Sequence, residues 1–490
     1  MSTIAKQNRR GVYHFSPKEN WMNDPNGMVY FKGTYHLFYQ HHPFGTTWGP
    51  MHWGHAISKD LVTWEELPVA LAPDEHGMIF SGSAVVDWNN TTGFFGDEPG
   101  LVAIFTHHVE GEGSQPPVQY QSIAYSTDEG QTWTKYEGNP VLRHDAVIDF
   151  RDPKVFWHES SAQWVMIVAC GQSVCLYRSP NLKEWTLSSE FGEGIGFHGG
   201  VWECPDLFPL PVEGTDGQTR WVMLVSIGDH PDFMEGSRTQ YFIGDFDGER
   251  FIPDVCSRKT IRWVDYGRDN YAGVSWSDIP AEDGRRLFIG WMSNWKYANL
   301  TPTDGWRGAM TIVRELRLRE IDGEAALVQQ PARELEAYRK PVVSLKSVDA
   351  AAAAKQLSGL RMESFEIDAL IGLSDSSQGR IAFKVRTGTS EETVIGYDAI
   401  AKEVYVDRTR SGMADFHPAF AGRHSAVLKD TSGLLKLRIF IDRSSVEVFA
   451  GGGQVVLTDL IYPDDTSMGM TVDTEEGLTI NALHIYDLSV

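Results

Sequence analysis

The chain has 490 residues, which exceeds one ordinary hydrophobic core, and its 42% hydrophobic and 22% charged residues are typical of a globular protein. Its formal net charge of −23 argues against nucleic acid and against an anionic membrane surface as partners, because both attract basic patches. No stretch reaches the roughly 18 apolar residues of a membrane span, and four cysteines without a CxxC motif are too few for a disulfide scaffold.

The first residues of the chain indicate in which cellular compartment the protein is expected. Residues 1–10 contain no apolar segment of the kind that forms the core of a secretory signal. The cytoplasm is therefore the default expectation, and the protein would be secreted if a signal has been removed from its start. An acidic chain of this kind suits a neutral substrate, although acidity alone selects none.

Short strands separated by turns follow one another up to about Ile321, with almost no helical periodicity. The clearest hairpin joins two aromatic and β-branched runs, residues 29–31 and 34–39, around the turn Lys32-Gly33. Further hairpins are predicted where residues 155–157 precede 164–168 and where 207–208 precede 221–225.

A strand, a Ser-x-Asp or Ser-x-Asn turn and a tryptophan recur along this part of the chain. The copies are residues 55–64, 124–133 and 176–185, with a degenerate copy at 244–251. Such turns cap themselves, so we interpret them as structural. A repeat of roughly 50–70 residues with about four strands predicts propeller blades. We place five blades at Asp24, Phe80–Ser83, Asp152, Glu203 and Leu287–Trp291.

The character of the sequence changes after Arg333. Residues 334–357 are rich in Ala and Lys and predict a partly helical linker. From Ser364 onward strict alternation returns, as in residues 437–442 and 445–449 around the turn Arg443-Ser444, which predicts a half-buried antiparallel sheet. We therefore predict an all-β protein: a five-bladed β-propeller over residues 1–333, a linker, and a C-terminal β-sandwich over residues 358–490.

Three acidic residues each precede a short apolar run: Asp24, Asp152 and Glu203. The inner strands of a propeller line its central channel, so acids at the starts of these strands should converge there. Two carboxylates flanking one bond, with a third nearby, are the equipment of a glycosidase. Each motif has a plainer interpretation alone, namely a tight turn at Asp24, a surface ion pair at Arg151-Asp152 and a paired channel carboxylate at Glu203.

Together these motifs resemble glycoside hydrolase family 32, the β-fructosidases, and within it the levanases and exo-inulinases. The matching segments follow the order of the family: residues 21–27, 48–55, 80–83, 151–153, 202–205, 405–408 and 441–449. The resemblance extends from about Tyr13 to the C-terminus. The fold of that family, a five-bladed propeller followed by a sandwich, agrees with the prediction from periodicity.

The resemblance implies a retaining, exo-acting β-fructosidase that hydrolyses terminal β-D-fructofuranosyl residues of sucrose, inulin or levan. Asp24 would be the nucleophile that forms a covalent fructosyl-enzyme, Glu203 the acid/base and Asp152 the stabiliser of the transition state. No cofactor is implied. The residues that match the sugar pocket of the family are Asn23, Gln40, Trp48, Phe80, Ser81, Arg151 and Trp291.

Some alternatives stay open at this point. A transfructosylase would use another sugar in place of water, and a catalytically inactive sugar-binding propeller would lack the nucleophile or the acid/base. The sequence leaves open the preference among sucrose, inulin and levan and whether the chain forms a homo-oligomer. The spacing of His41, His42, His52 and His55 fits no common zinc pattern, so no metal site is expected.

Overall fold

The computed structural model describes residues 9–373, 378–429, 433–475 and 477–490. In the first three blades, antiparallel strands follow one another from the channel outward. The strands of blade one are β1 (Asn20–Phe31), β2 (Thr34–His42), β3 (His52–Ser58) and β4 (Glu65–Leu71). Blade two has β5 (Met78–Asp87), β6 (Gly100–Val109), β7 (Val118–Ser126) and β8 (Thr134–Lys135), with β9 (Leu142–Arg143) paired to β7. Blade three has β10 (Phe150–His158), β11 (Gln163–Cys170), β12 (Val174–Ser179) and β13 (Thr186–Phe191).

The last two blades are joined by a parallel pair of strands. Blade four has β14 (Trp202–Glu213), β15 (Thr219–Ile227), β16 (Arg238–Phe246) and β17 (Phe251–Pro253), followed by the short helix α1 (Val255–Lys259). Blade five consists of β18 (Tyr271–Ser275), β19 (Arg286–Trp291), β21 (Arg314–Ile321) and β22 (Glu324–Pro331). The two-residue strand β20 (Trp306–Arg307) pairs with β1 instead and so ties blade five to blade one.

The inner strands β1, β5, β10, β14 and β18 contact one another in that order, and β18 contacts β1, which closes the ring. The predicted propeller of five blades is confirmed in the described residues. The fifth blade begins earlier than predicted, because its inner strand is β18 and residues 287–291 belong to its second strand. The hairpin turn at Lys32 and Gly33 has φ values of 46° and 81°, as a two-residue turn requires.

The recurring turn is structural, as predicted, and joins the third strand of a blade to the fourth. In blade one, Asp60 accepts hydrogen bonds from the backbone N–H groups of Val62 and Thr63, at 2.9 and 2.8 Å. In blade three, Asn181 accepts from Lys183 and Glu184, both at 3.0 Å. Each turn thus satisfies its own backbone donors.

The C-terminal part is a sandwich of two antiparallel sheets. One sheet has the order β23 (Lys340–Val348), β33 (Leu478–Asp487), β24 (Phe365–Leu373), β29 (Leu434–Asp442), β30 (Ser445–Ala450) and β31 (Val455–Leu460). The other has the order β28 (Arg423–Val427), β27 (Glu403–Arg410), β26 (Glu392–Asp398), β25 (Arg380–Thr387) and β32 (Gly469–Thr474). Their facing aliphatic side chains form one core, with the helix α2 (Ala350–Leu357) packed against it through Ala353 and Leu357.

Residues 334–357 differ from the expected linker. They begin with a 3-10 helix, Arg333–Tyr338, and end with α2, but between these β23 pairs with β33 over almost its full length. Residues 340–348 therefore belong to the sandwich. Other 3-10 turns lie at Glu159–Ser161 and Ala298–Leu300.

Both faces of β30 are buried, which explains how the two parts are joined. Val446 and Val448 point into the sandwich core, whereas Phe449 packs against Tyr13 and Ile312 in a cluster shared with the propeller part. Among the described residues, no helix has the length and apolar character that a membrane span needs.

Candidate active site

The five inner strands share one irregularity that determines where their side chains point. In each, the pairing with the second strand slips by a bulge near the start of the strand: between Met22 and Pro25, Ile79 and Gly82, Arg151 and Lys154, Glu203 and Asp206, and Tyr271 and Val274. A bulge bends the strand and re-aims a side chain. Asp24, Ser81, Asp152 and Cys204 all lie inside these bulges, so the repeat of the fold turns their side chains to a common centre.

A cavity of about 430 Å³ opens at this centre. It is lined by Asp24, Asp152 and Glu203, so the structure brings the three predicted acids together. The other residues of its lining are Asn23, Gln40, Trp48, Phe80, Ser81, His108, Glu110, Pro117, Gln119, Asp149, Arg151 and Trp295.

Asp24 is held by donors on both of its oxygens. Asn23 Nδ2 donates to Oδ1 at 2.9 Å, and Ser81 Oγ donates to Oδ2 at 2.7 Å. Asn23 is itself oriented by Trp21 Nε1, which donates to its Oδ1 at 2.7 Å. Burial raises the pKa of Asp24, while the hydrogen bond from Ser81 opposes the rise. The carboxylate is thus fixed in position at the inner end of the cavity.

Cys204 connects Asp24 with Asp152. Its thiol lies 3.4 Å from Asp24 Oδ2 and 3.5 Å from Asp152 Oδ2, and its backbone N–H donates to Asp152 Oδ2 at 3.0 Å. Burial, with the neighbouring carboxylates, raises the pKa of the Cys204 thiol well above its ordinary value, so the sulfur keeps its proton as a donor. Asp152 and Cys204 have φ of 66° and 44°, left-handed conformations that non-glycine residues adopt at a cost of about 1 kcal/mol.

The pKa of Asp152 is raised to about 7, mainly by burial, with Arg151 opposing the rise and Glu203 and Asp24 adding to it. Its Oδ2 accepts the bonds from Cys204, so these bonds do not occupy Oδ1. The charges of Glu203 and Asp24 thus favour the protonated form of Asp152.

Glu203 lies between a cation and a phenol. Arg151 donates to its Oε1 through Nη2 at 2.7 Å and Nε at 3.2 Å, while the hydroxyl of Tyr271 donates to Oε2. Burial, with the charge of Glu203, raises the pKa of Tyr271 well above its ordinary value, so the phenol stays protonated. Arg151 is steadied in turn by Asp149 at 2.5 Å and Gln119 at 3.3 Å.

An aromatic wall faces the acids. Phe80 stacks on His108 with ring centroids 4.2 Å apart, and Trp48 meets Phe80 edge-on at 6.2 Å. Trp48 is 38% exposed, and its backbone N–H donates to Asn299 at 2.9 Å. Gln40 is buried at the cavity wall, where its Nε2 donates to Asn26 at 2.8 Å. The wall therefore offers apolar ring faces opposite hydrogen-bonding groups, as sugar rings require.

The structure places Trp291 differently from the prediction. Its side chain is fully buried and packs against Trp21 and Trp295, with ring centroids 5.9 and 4.8 Å away, rather than lining the cavity. The physical reason is its position on β19, the second strand of its blade, one layer behind the inner strand. Trp295, in the following loop, reaches the cavity in its place.

Three residues of the site were not predicted from the sequence: Tyr271, Gln119 and Trp295. Tyr271 opens the inner strand of blade five, so recognising β18 as an inner strand would have found it. Gln119 lies on β7, the third strand of its blade, and had no signal in the sequence. The four clustered histidines point to different partners, with His41 bonded to Trp21, His42 to Thr47, His52 to Pro50 and His55 to His36.

A five-bladed propeller with paired acids at one mouth of its channel, followed by a sandwich, defines a class of carbohydrate-cleaving enzymes. The model of the N-terminal domain of glycosyl hydrolases family 32 matches residues 14–331, and the model of the C-terminal part of that family matches residues 334–487. The chain belongs to glycosyl hydrolases family 32.

The chain is similar to several named proteins of this family. The chain is 53% identical to a levanase of Bacillus subtilis (strain 168) over 491 residues, covering 99% of this chain and 71% of that one. It is 41% identical to an extracellular exo-inulinase of Aspergillus ficuum, covering 96% and 92% of the two chains. The crystal structure of exo-inulinase from Aspergillus awamori superposes with a TM-score of 0.89 at 39% identity, covering 98% of each chain.

Proposed function

We propose that this protein is an exo-acting β-fructosidase, which hydrolyses terminal β-D-fructofuranosyl residues of levan, inulin or sucrose with retention of configuration. The observation that carries the proposal is the pairing of Asp24 with Glu203 at one cavity, each held by its own set of donors. The levanase and exo-inulinase relatives support fructans as the substrate class. Because they are named as hydrolases, hydrolysis is favoured over transfer to a second sugar.

Asp24 is assigned as the nucleophile. Its donors Asn23 and Ser81 favour the ionised carboxylate, against the effect of burial, and aim it into the cavity, where it attacks the anomeric carbon and forms a fructosyl ester. Glu203 donates a proton to the leaving oxygen and then removes one from the water that hydrolyses the ester. Asp152, with Oδ1 free of bonds to Cys204, accepts hydrogen bonds from the hydroxyls of the fructosyl ring.

Several other residues of the lining are assigned to substrate binding. We propose that Asn23, Gln40 and Ser81 position the sugar hydroxyls, that Trp48 and Phe80 contact its C–H faces, and that Arg151 orients Glu203. Trp295 is added to this set. Trp291 supports the pocket from behind through its contact with Trp295.

The shape of the cavity supports exo action. Behind Asp152 and Cys204 the channel narrows to a space of about 10 Å³, lined also by Pro25 and Lys154. That is about the volume of one water, so a sugar that enters the catalytic cavity has one way in and out. A pocket of this kind accepts a chain end, whereas an open groove would accept the middle of a polymer.

Chromatography of products from sucrose, inulin and levan tests the proposal. We expect free fructose as the first and main product from each polymer, with no ladder of intermediate oligosaccharides. Early release of oligosaccharides would contradict exo action. Accumulation of longer fructosides from concentrated sucrose would instead establish a transfructosylase.

We propose that residues 1–333 form the catalytic domain and that the sandwich, which begins with β23 at Lys340, is non-catalytic and stabilises it. The cavity lining described above comes from the propeller part alone. A chain ending near Arg333 would expose Ile312 and leave Arg314 without Glu447. We expect it to be insoluble or inactive in expression trials. A soluble truncated chain that hydrolyses sucrose at the full-length rate would show that the sandwich is dispensable.

The compartment follows from the substrate. A polymeric substrate would be met outside the cell, and the Aspergillus relative is named as extracellular. We infer that the protein acts outside the cell, against the default of the cytoplasm. Fractionation of the native culture, with activity measured in medium and lysate, decides between the two.

A further inference from the structure

A second cavity, of about 590 Å³, lies at the other end of the propeller channel. Its lining uses later residues of the same inner strands: Val85 follows Ser81 on β5, Phe156 follows Asp152 on β10, and Leu207 follows Glu203 on β14. Four residues of strand span about 13 Å. The narrow space behind Asp152 separates this cavity from the catalytic one.

Aromatic rings form much of its wall, namely those of Trp88, Phe156, Trp157, Trp164, Phe208 and Trp221. Trp88 is 57% exposed, which is unusual for so large an apolar side chain. Its orientation is nevertheless fixed, because Nε1 donates to Asp278 Oδ1 at 2.8 Å and its ring meets Phe31 edge-on at 6.0 Å. An exposed ring held in one orientation is ready to stack on a ligand.

Two cations with few partners face the same space. Lys154 is 5% exposed, donates from Nζ to the carbonyl of Ser275, and stands 3.9 Å from Asp206. Arg286 makes long bonds of 3.5 and 3.4 Å to Ser275 Oγ and Trp276 O, and its guanidinium lies over Phe208 at 4.9 Å. A buried ammonium group with spare donors is costly unless a ligand or water accepts them.

The charges of the lining indicate what kind of ligand fits. Against Lys154 and Arg286 stand three carboxylates, those of Asp206, Asp278 and Glu159. Asp206 accepts from the backbone of Leu207 and Ser275, at 2.8 and 2.7 Å, so its oxygens are committed to the fold. The lining has no net positive charge, which disfavours a phosphate or a carboxylate. Ring faces with scattered hydrogen-bond donors instead suit a neutral polyol.

We propose that this cavity is a second carbohydrate site, which binds a neutral oligosaccharide without cleaving it. Its volume lies within the range of about 300–1,000 Å³ usual for small-molecule sites. Trp88 provides the stacking surface, while Lys154 and Arg286 donate to hydroxyl groups. The oxygens of Asp206 and Asp278 accept hydrogen bonds from the fold. Among the described residues the lining thus has no counterpart of the pair Asp24 and Glu203, so the site would hold sugar without cleaving it. On a polymeric substrate it would keep the enzyme attached between cleavage events.

Isothermal titration calorimetry tests the proposal with two probes. Maltotetraose, a gluco-oligosaccharide, is titrated into the unaltered protein, and nystose, a fructo-oligosaccharide, into Asp24→Asn, which prevents its cleavage. We expect nystose to bind at two sites per chain. Trp88→Ala should weaken the second association by about tenfold, the effect of truncating an aromatic anchor, and Trp88→Phe should weaken it less. Binding of maltotetraose as well would identify a general glycan site rather than a fructan site.

Leu187→Ala, which removes an exposed apolar side chain on β13 outside both cavities, is the matched control and should keep both sites. Sucrose hydrolysis should be unchanged in Trp88→Ala, because the two cavities are separate. A single nystose site in Asp24→Asn with no maltotetraose binding would overturn the proposal, as would two undiminished sites in the Trp88→Ala background. Failure of the proposed activity would show in product analysis and leaves the maltotetraose titration unaffected.

Discussion

Acidic side chains cluster both at the catalytic cavity and at the contact between propeller and sandwich. The two clusters differ in the partners of the acids and in the direction of their pKa shifts. At the cavity, which is lined by Asp24, Asp152 and Glu203, the cation Arg151 lies 2.7 Å from Glu203 and 4.0 Å from Asp152. Burial raises the pKa of Asp24 and of Asp152, the latter to about 7. Asp24 and Asp152 thus have a raised affinity for protons, as buried carboxylates at a site of glycoside cleavage often do.

At the contact between propeller and sandwich, Asp442 and Glu447 each bind basic side chains. His14 donates to Asp442 at 2.7 Å and to Glu447 at 2.9 Å, and Arg314 donates to Glu447 at 2.5 Å and to Asp265 at 3.0 Å. Although burial acts in the other direction, these partners lower the pKa of Asp442 and of Glu447. The pKa values of Asp24 and Asp152 at the cavity and those of Asp442 and Glu447 at the contact are therefore shifted in opposite directions.

The largest expected effect is the loss of activity when a catalytic acid of the cavity is replaced. Asp24→Asn and Glu203→Gln should each lower kcat by more than about a thousandfold, since each removes one of two groups that act together. Glu110→Gln, at the same cavity, is the matched control and should stay within about twofold. Sucrose hydrolysis and circular dichroism are measured together. An active Asp24→Asn or Glu203→Gln enzyme would refute the assignment.

At the contact between propeller and sandwich, replacing an acid by its amide should lower the stability of the protein. Glu447→Gln removes one of the two acids that bind buried Arg314 and leaves it with Asp265, which should lower the free energy of unfolding by about 3–5 kcal/mol. The control is Glu392→Gln, whose partner Arg410 is exposed, with an expected cost of about 0–1 kcal/mol. Urea denaturation compares them. Equal losses in both variants would contradict the distinction between the two regions.

The pH dependence of stability should reveal His14. Although burial opposes it, the hydrogen bonds to Asp442 and Glu447 raise the pKa of His14 from 6.5 to about 9. Its contribution is therefore complete below pH 6.5 and is lost as the pH rises through 9, a total of roughly 3 kcal/mol. Thermal melts of the unaltered protein and of His14→Gln from pH 6 to 10 should converge at the alkaline end. Parallel curves would show that His14 does not titrate in this window.

A smaller effect is expected from Tyr271→Phe, which removes the hydroxyl that donates to Glu203. We expect kcat to fall by about tenfold, the value of one hydrogen bond to a charged group. The alkaline limb of the pH–rate profile should move to higher pH, because the ionised form of Glu203 loses a donor. Tyr30→Phe, on the partly exposed end of β1, is the control. A lowered rate with an unmoved profile would indicate a packing role only.

Much of the fold and of the site could be predicted because the fold repeats itself. Asp24, Asp152 and Glu203 each stand where an apolar run begins, and the equivalent bulges in β1, β10 and β14 turn that regularity into convergence. Tyr271 was missed because β18 is only five residues long and carries no acid. Trp291 was misplaced because its blade was taken to begin at its second strand.

Ion pairs between residues that are distant in sequence could not be predicted from local sequence patterns. His14 contacts Asp442 across 428 residues, and Arg314 meets Glu447 across 133. No local pattern marks either pair, since each depends on how the sandwich docks on the propeller. Residues 340–348 illustrate the same limit, because a strand at the edge of a sheet had the composition of a linker.

The central claim is that Asp24 forms a covalent bond to fructose. Glu203→Gln, incubated with an aryl β-D-fructofuranoside whose leaving group needs no proton, should form the ester and then hydrolyse it slowly. Intact mass spectrometry should show one added fructosyl group per chain, and peptide mapping should locate it on Asp24. Label on another residue, or no label together with an inverted product in the proton NMR spectrum, would contradict the account.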